Sequence, residues 1–164
     1  MAWVVSFNMF IYGGAKIIQF DDAGQIDTPV ADLTGMELMW AFYGYSLPFV
    51  ITLSVLEISG GILLLFKRTR LLGCLFTSTI LVNVILQDIY FGVHLGALKA
   101  AVLYQFLILT ILWMNRWSVW TAFRALIPNS SPSGVRYKQT IKLLLAVVLF
   151  AGLRVFEYYL TIVW

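Results

Sequence analysis

Five apolar stretches dominate the chain, at residues 3–20, 43–66, 71–91, 97–113 and 141–164. Each is close to the roughly 20 residues that a helix needs to cross a bilayer. Strands of a membrane barrel would be about half as long and would alternate in polarity. The pattern therefore predicts an all-α, polytopic membrane helix bundle. Composition points the same way. Of 164 residues, 61% are hydrophobic and only 12% charged, and the mean hydropathy is +0.89. A soluble domain is nearer half apolar and about a quarter charged. Too little polar surface remains here to coat a water-soluble globule. Cytosolic enzymes, secreted domains and disordered tails are excluded as classes.

Three segments follow from the pattern. Residues 1–127 read as a core of four helices with an outer interfacial segment, 128–139 as a cytoplasmic linker, and 140–164 as a fifth membrane helix. The first stretch lacks the basic flank and small-residue cleavage site of a signal peptide, so it is expected to be retained. Residues 31–45 hold Met36, Leu38, Met39, Trp40 and Phe42. That is too apolar for a free loop, and a short helix at the outer interface is expected. Residues 128–134 carry the Pro, Ser, Asn and Gly of a linker.

Charge then orients the bundle. Eight of the eleven basic residues fall in two loops, Lys67, Arg68 and Arg70 in one and Arg116, Arg124, Arg136, Lys138 and Lys142 in the other. The loops are two spans apart and so lie on one side, which the positive-inside rule makes cytoplasmic. The acids Asp21, Asp22, Asp27, Asp32 and Glu37 mark the opposite side. The N-terminus is thus expected inside and the C-terminus outside. Tryptophan prefers the headgroup level. Trp3, Trp113, Trp117 and Trp120 fall at inner ends, and Trp40 and Trp164 at outer ends. A net charge of +3, distributed this way, sets topology and does not imply nucleic acid.

A single cysteine, Cys74, excludes an internal disulfide, a thiol relay and a cysteine metal cluster. His94 is the only histidine and sits in a short loop. No metal site and no intrinsic cofactor are expected.

Charge at membrane depth is costly and rarely accidental. At 1.5 Å per residue, Lys16, Glu57, Asn83, Gln105 and Arg154 fall about 15–20 Å from the inner ends of five different helices, near or just outside the bilayer midplane. One reading is a buried polar cluster centred on Glu57, with Lys16 or Arg154 as its partner. It would hold a quinone headgroup, relay protons or bind a small polar substrate. The plainer reading has Asn83 and Gln105 bonding helix to helix and Lys16 reaching outward to Asp21 or Asp22. In it, Arg154 pairs with Glu157 three residues on. Gly60 and Gly61, beside Glu57, suit close helix packing.

Four places in the chain resemble one family of small membrane proteins. Residues 12–16 read Tyr-Gly-Gly-Ala-Lys, and residues 33–46 hold the apolar outer segment. Residues 56–73 read Leu-Glu-Ile-Ser-Gly-Gly, five apolar residues, then Lys-Arg-Thr-Arg-Leu-Leu-Gly, and residues 81–85 read Leu-Val-Asn-Val-Ile. The whole is similar to the DoxX-like family. The resemblance implies a four-helix membrane core in a bacterial inner membrane. It also implies an association with membrane oxidoreductases, one being a thiosulfate:quinone oxidoreductase. It carries Lys16, Glu57, Gly60, Gly61 and Asn83 onto this chain. After the third helix the family's Asp-Val-Pro-Val-Lys-Leu-like segment is absent, and Asp88 stands slightly earlier.

The expected function is a small integral membrane subunit, accessory or structural, of a larger complex in the lipid bilayer. A quinone-interacting subunit is the alternative, with quinone or bound lipid as its ligand and electrons supplied by a partner. A transporter is disfavoured, because no inverted repeat is apparent.

Overall fold

The computed structural model describes residues 1–21, 23, 27–127 and 136–162. Among the described residues there are seven α-helices, one 3-10 turn and no strand. The helices are α1 (Ala2–Gln19), α2 (Gly35–Gly44), α3 (Leu47–Leu65), α4 (Arg70–Tyr90), α5 (Leu95–Met114), α6 (Arg116–Leu126) and α7 (Arg136–Ile162); the turn is Val30–Asp32. Asp22, residues 128–135 of the expected linker, and Trp164 lie outside the described residues.

Three helices, α3, α4 and α5, are long and apolar enough to cross a membrane. The first apolar stretch, α1, is 18 residues long but carries Ser6, Asn8, Lys16 and Gln19. These polar groups lower its hydropathy. The chain divides into two compact units, Met1–Arg124 and Ala125–Trp164. In the first, α1 packs along α3 and touches α5, α3 packs on α4, and α4 packs on α5. In the second, α7 is a 27-residue helix carrying Lys142, Arg154 and Glu157.

Local chemistry explains the ends. Thr34 Oγ1 accepts the Glu37 amide at 3.3 Å, and the Thr34 amide donates to Glu37 Oε2 at 2.8 Å. This reciprocal capping box starts α2. Pro48 lies in the first turn of α3, where a missing N–H costs nothing. Gly92, at φ 65°, turns the chain after α4. His94 caps α5, its Nδ1 accepting the Gly96 amide at 3.0 Å.

Close approach of backbones holds the first unit together. A Cβ on Gly61 would lie 2.9 Å from the Phe10 ring and 3.1 Å from the Ser6 carbonyl oxygen of α1. Ser6 Oγ donates to the Gly61 carbonyl at 2.7 Å across the same contact. Gly60 faces Thr77 of α4, and Gly73 of α4 lies against the Leu63–Leu64 peptide of α3. Around these contacts Val5, Met9, Leu64, Cys74, Leu81, Ala101, Ile108 and Ile111 form one buried core. Phe20, Met39, Tyr43 and Val50 form a second.

Two boundaries differ from the sequence pattern. Residues 116–126, read there as part of a basic inner loop, form α6. The last helix starts at Arg136, earlier than the apolar run at 141. In both places bases sit among apolar residues at helical spacing, so charge masked the helix.

Candidate functional site

The site begins at a glycine. Gly13 of α1 has no room for a side chain, since a Cβ would lie 2.9 Å from the Ser54 carbonyl oxygen and 3.3 Å from Glu57 Cβ. That approach brings the next turn of α1 against the middle of α3. Lys16 Nζ and Glu57 Oε1 meet there at 2.8 Å. The Glu57 side chain is 4% exposed and that of Lys16 15%. A buried charge must be paired or it is strongly unfavourable. Lys16 thus turns to Glu57, not outward to Asp21.

The pair lies in the wall of a cleft of about 420 Å³. One side is aromatic, with Phe42, Tyr43 and Phe49. Tyr43 and Phe49 stack at 5.7 Å, and Phe20 stacks on Tyr43 at 5.0 Å. The other side comes from α4, where Gln87 Nε2 donates to Asn83 Oδ1 at 2.5 Å. Burial pushes the Tyr43 phenol above its ordinary range, and a hydrogen bond with Gln87 opposes this. The cleft thus combines aromatic side chains with amide and ion-pair groups.

A second, interior cavity of about 90 Å³ shares Lys16, Tyr43, Glu57 and Gln87 with the cleft. It adds Tyr12 and Asp88. Asp88 is 6% exposed. Glu57 Oε2 and Asp88 Oδ2 are both buried with no hydrogen-bond partner among the described residues.

The five polar residues singled out by depth therefore separate. Lys16, Glu57 and Asn83 come together at the cleft. Gln105 lines neither space; its Nε2 donates to Ser78 Oγ at 2.7 Å and ties α5 to α4. Arg154 belongs to the second unit and pairs with Glu157 on its own helix, both about 60% exposed. Tyr12, Tyr43, Gln87 and Asp88 are added. Asn83 and Gln87 stand at i, i+4, a spacing visible in the sequence. Asp88 lies in the last turn of α4.

These features define a class: a helical protein with, among the described residues, three helices long and apolar enough to cross a membrane and an ion pair buried between two of its helices. Within that class, the chain belongs to the family of the uncharacterized protein YwoB of Bacillus subtilis (strain 168). The two are 33% identical over 122 residues, which is 73% of this chain and 77% of that protein. No family model matches the chain. No solved structure matches it.

Proposed function

We propose that this chain is a small integral membrane protein that binds a lipid-soluble molecule with a polar head, of the quinone class, as a subunit of a larger membrane complex. Four helices, α1 and α3 to α5, form its DoxX-like membrane core, and α7 crosses separately. The basic loops put the N-terminus on the cytoplasmic side of a bacterial inner membrane and the C-terminus outside.

One observation carries the reading. A buried Lys16–Glu57 pair lines a cleft of about 420 Å³ together with the aromatic rings of Phe42, Tyr43 and Phe49. Ligand sites are mostly apolar with a few convergent polar groups that fix orientation. Lys16 supplies a donor for a quinone carbonyl, and Phe42, Tyr43 and Phe49 supply flat surfaces for its ring. Asn83 and Gln87 complete the polar groups of the cleft. The bound quinone would supply the electron-accepting ring; this chain would bind and orient it, and a partner subunit would deliver the electrons.

Photo-crosslinking tests the assignment. A quinone bearing a photoreactive group should label Phe42, Tyr43, Phe49 or Leu53 in native membranes. Labelling confined to other surfaces contradicts it. Purification in mild detergent should recover other subunits; recovery of this chain alone would contradict the complex.

A purely structural subunit is the second reading. It is favoured by the exterior of α7, where Leu143, Leu144, Val147, Val148 and Phe150 are all exposed.

A further inference from the structure

The interior cavity holds a charge imbalance that the cleft does not use. Two carboxylates line it, Glu57 at 3% exposure and Asp88 at 6%. Among the described residues Lys16 is the single base lining it. The Lys16 ammonium bonds Glu57 Oε1 and leaves Glu57 Oε2 and Asp88 Oδ2 without partners. With both acids ionised, one negative charge remains over.

Apolar side chains, Met9, Phe20, Met39, Leu81 and Val84 among them, line most of the cavity, and four uncharged polar side chains join the carboxylates. Tyr12 and Gln19 face the cavity from α1, Tyr43 from α2 and Gln87 from α4, while α5 contributes only Ala97 and Ala101. Carboxylate, phenol and amide oxygens are the ligands preferred by hard cations. The volume, about 90 Å³, suits an ion with one or two waters, since a water takes about 30 Å³. Among the described residues no group of three or more His, Cys, Asp or Glu is placed to hold a metal ion. The single excess charge matches a monovalent ion.

We propose that the interior cavity is a binding site for one alkali-metal cation, held by Glu57 Oε2 and Asp88 Oδ2 with Tyr12 and water completing its shell. Asp88 is the distinguishing ligand, because Glu57 also serves Lys16. The site stands independently of the quinone reading, since its groups and charge need no ligand in the cleft.

The test uses the full chain in mild detergent at pH 8, with no quinone present. Sodium or potassium chloride replaces N-methyl-D-glucamine chloride at constant ionic strength, and Tm is followed by tryptophan fluorescence. A saturable rise in Tm is expected with the alkali cations. Asp88→Asn should weaken half-saturation by about tenfold or more, as loss of one charged ligand does. Equal Tm values in alkali and N-methyl-D-glucamine salts would overturn the proposal. So would an unchanged response in D88N, or an equal response to magnesium at the same concentration. Equilibrium dialysis of the unaltered chain against radioactive sodium needs no variant. It should find one ion per chain; none bound would be decisive against the site.

Discussion

Lys16 Nζ stands 2.8 Å from Glu57 Oε1, joining α1 to α3 in the interior of the first unit. The two residues are 41 positions apart. Glu57 would be an uncompensated buried charge without Lys16. The pair is therefore both a clamp between helices and a polar part of the cleft lining.

Removing one partner should be worse than removing both. Loss of one member of a buried pair costs about 3–5 kcal/mol, whereas an apolar replacement of both is often neutral. Lys16→Met and Glu57→Met should each lower Tm strongly. The double variant should recover most of the loss. Additive losses in thermal unfolding would show that the two charges are not coupled.

Two glycines should respond oppositely to alanine. A Cβ on Gly73 would meet the Leu63–Leu64 backbone at 2.8 Å, and backbone cannot swing aside. Gly73→Ala should cost about 1–3 kcal/mol, the range for overpacking. Gly14, within α1, has nothing within 4 Å of that position. Gly14→Ala should stabilise by about 0.5–1 kcal/mol through helix propensity. Chemical denaturation in detergent reads both.

The capping box gives a pH dependence. The backbone amide and then the hydroxyl of Thr34 hold the Glu37 carboxyl below its ordinary value of 4.5. A lowered folded value means that the contribution is complete above about pH 4.5 and fades as pH falls through the folded value. Glu37→Gln should flatten that part of the Tm profile. An unchanged acid limb would show that α2 does not depend on the box.

Gln105 separates scaffold from site. Its bond to Ser78 should be worth about 0.6 kcal/mol, as measured for interhelical bonds in membranes. Gln105→Leu should therefore change stability slightly and leave ligand binding untouched. A large binding loss would place Gln105 in the site.

How far the sequence reveals this arrangement depends on the signal each part leaves. Length and apolarity announce α3, α4 and α5 directly. Depth along the helices puts Lys16, Glu57 and Asn83 at one level, and the structure brings those three to one cleft. The same measure also selects Arg154, because depth says nothing of direction. Its nearest acid is Glu157, one turn away on its own helix. Gln105 has the right depth but faces Ser78. The helix α6 is hidden because Arg116 and Arg124 look like loop charges, although Trp117, Trp120 and Phe123 recur at helical spacing. Asp88 becomes informative only when α1 and α3 place Lys16 and Glu57 beside it.

Titration of the purified protein with a short-chain quinone tests the central claim most directly. Quenching of tryptophan fluorescence should be saturable. Glu57→Gln and Lys16→Gln should each weaken it by about tenfold, the effect of losing one charged hydrogen bond, while Gln105→Leu leaves it unchanged. Non-saturable quenching, or equal affinity in all four proteins, would contradict a quinone site at the Lys16–Glu57 pair.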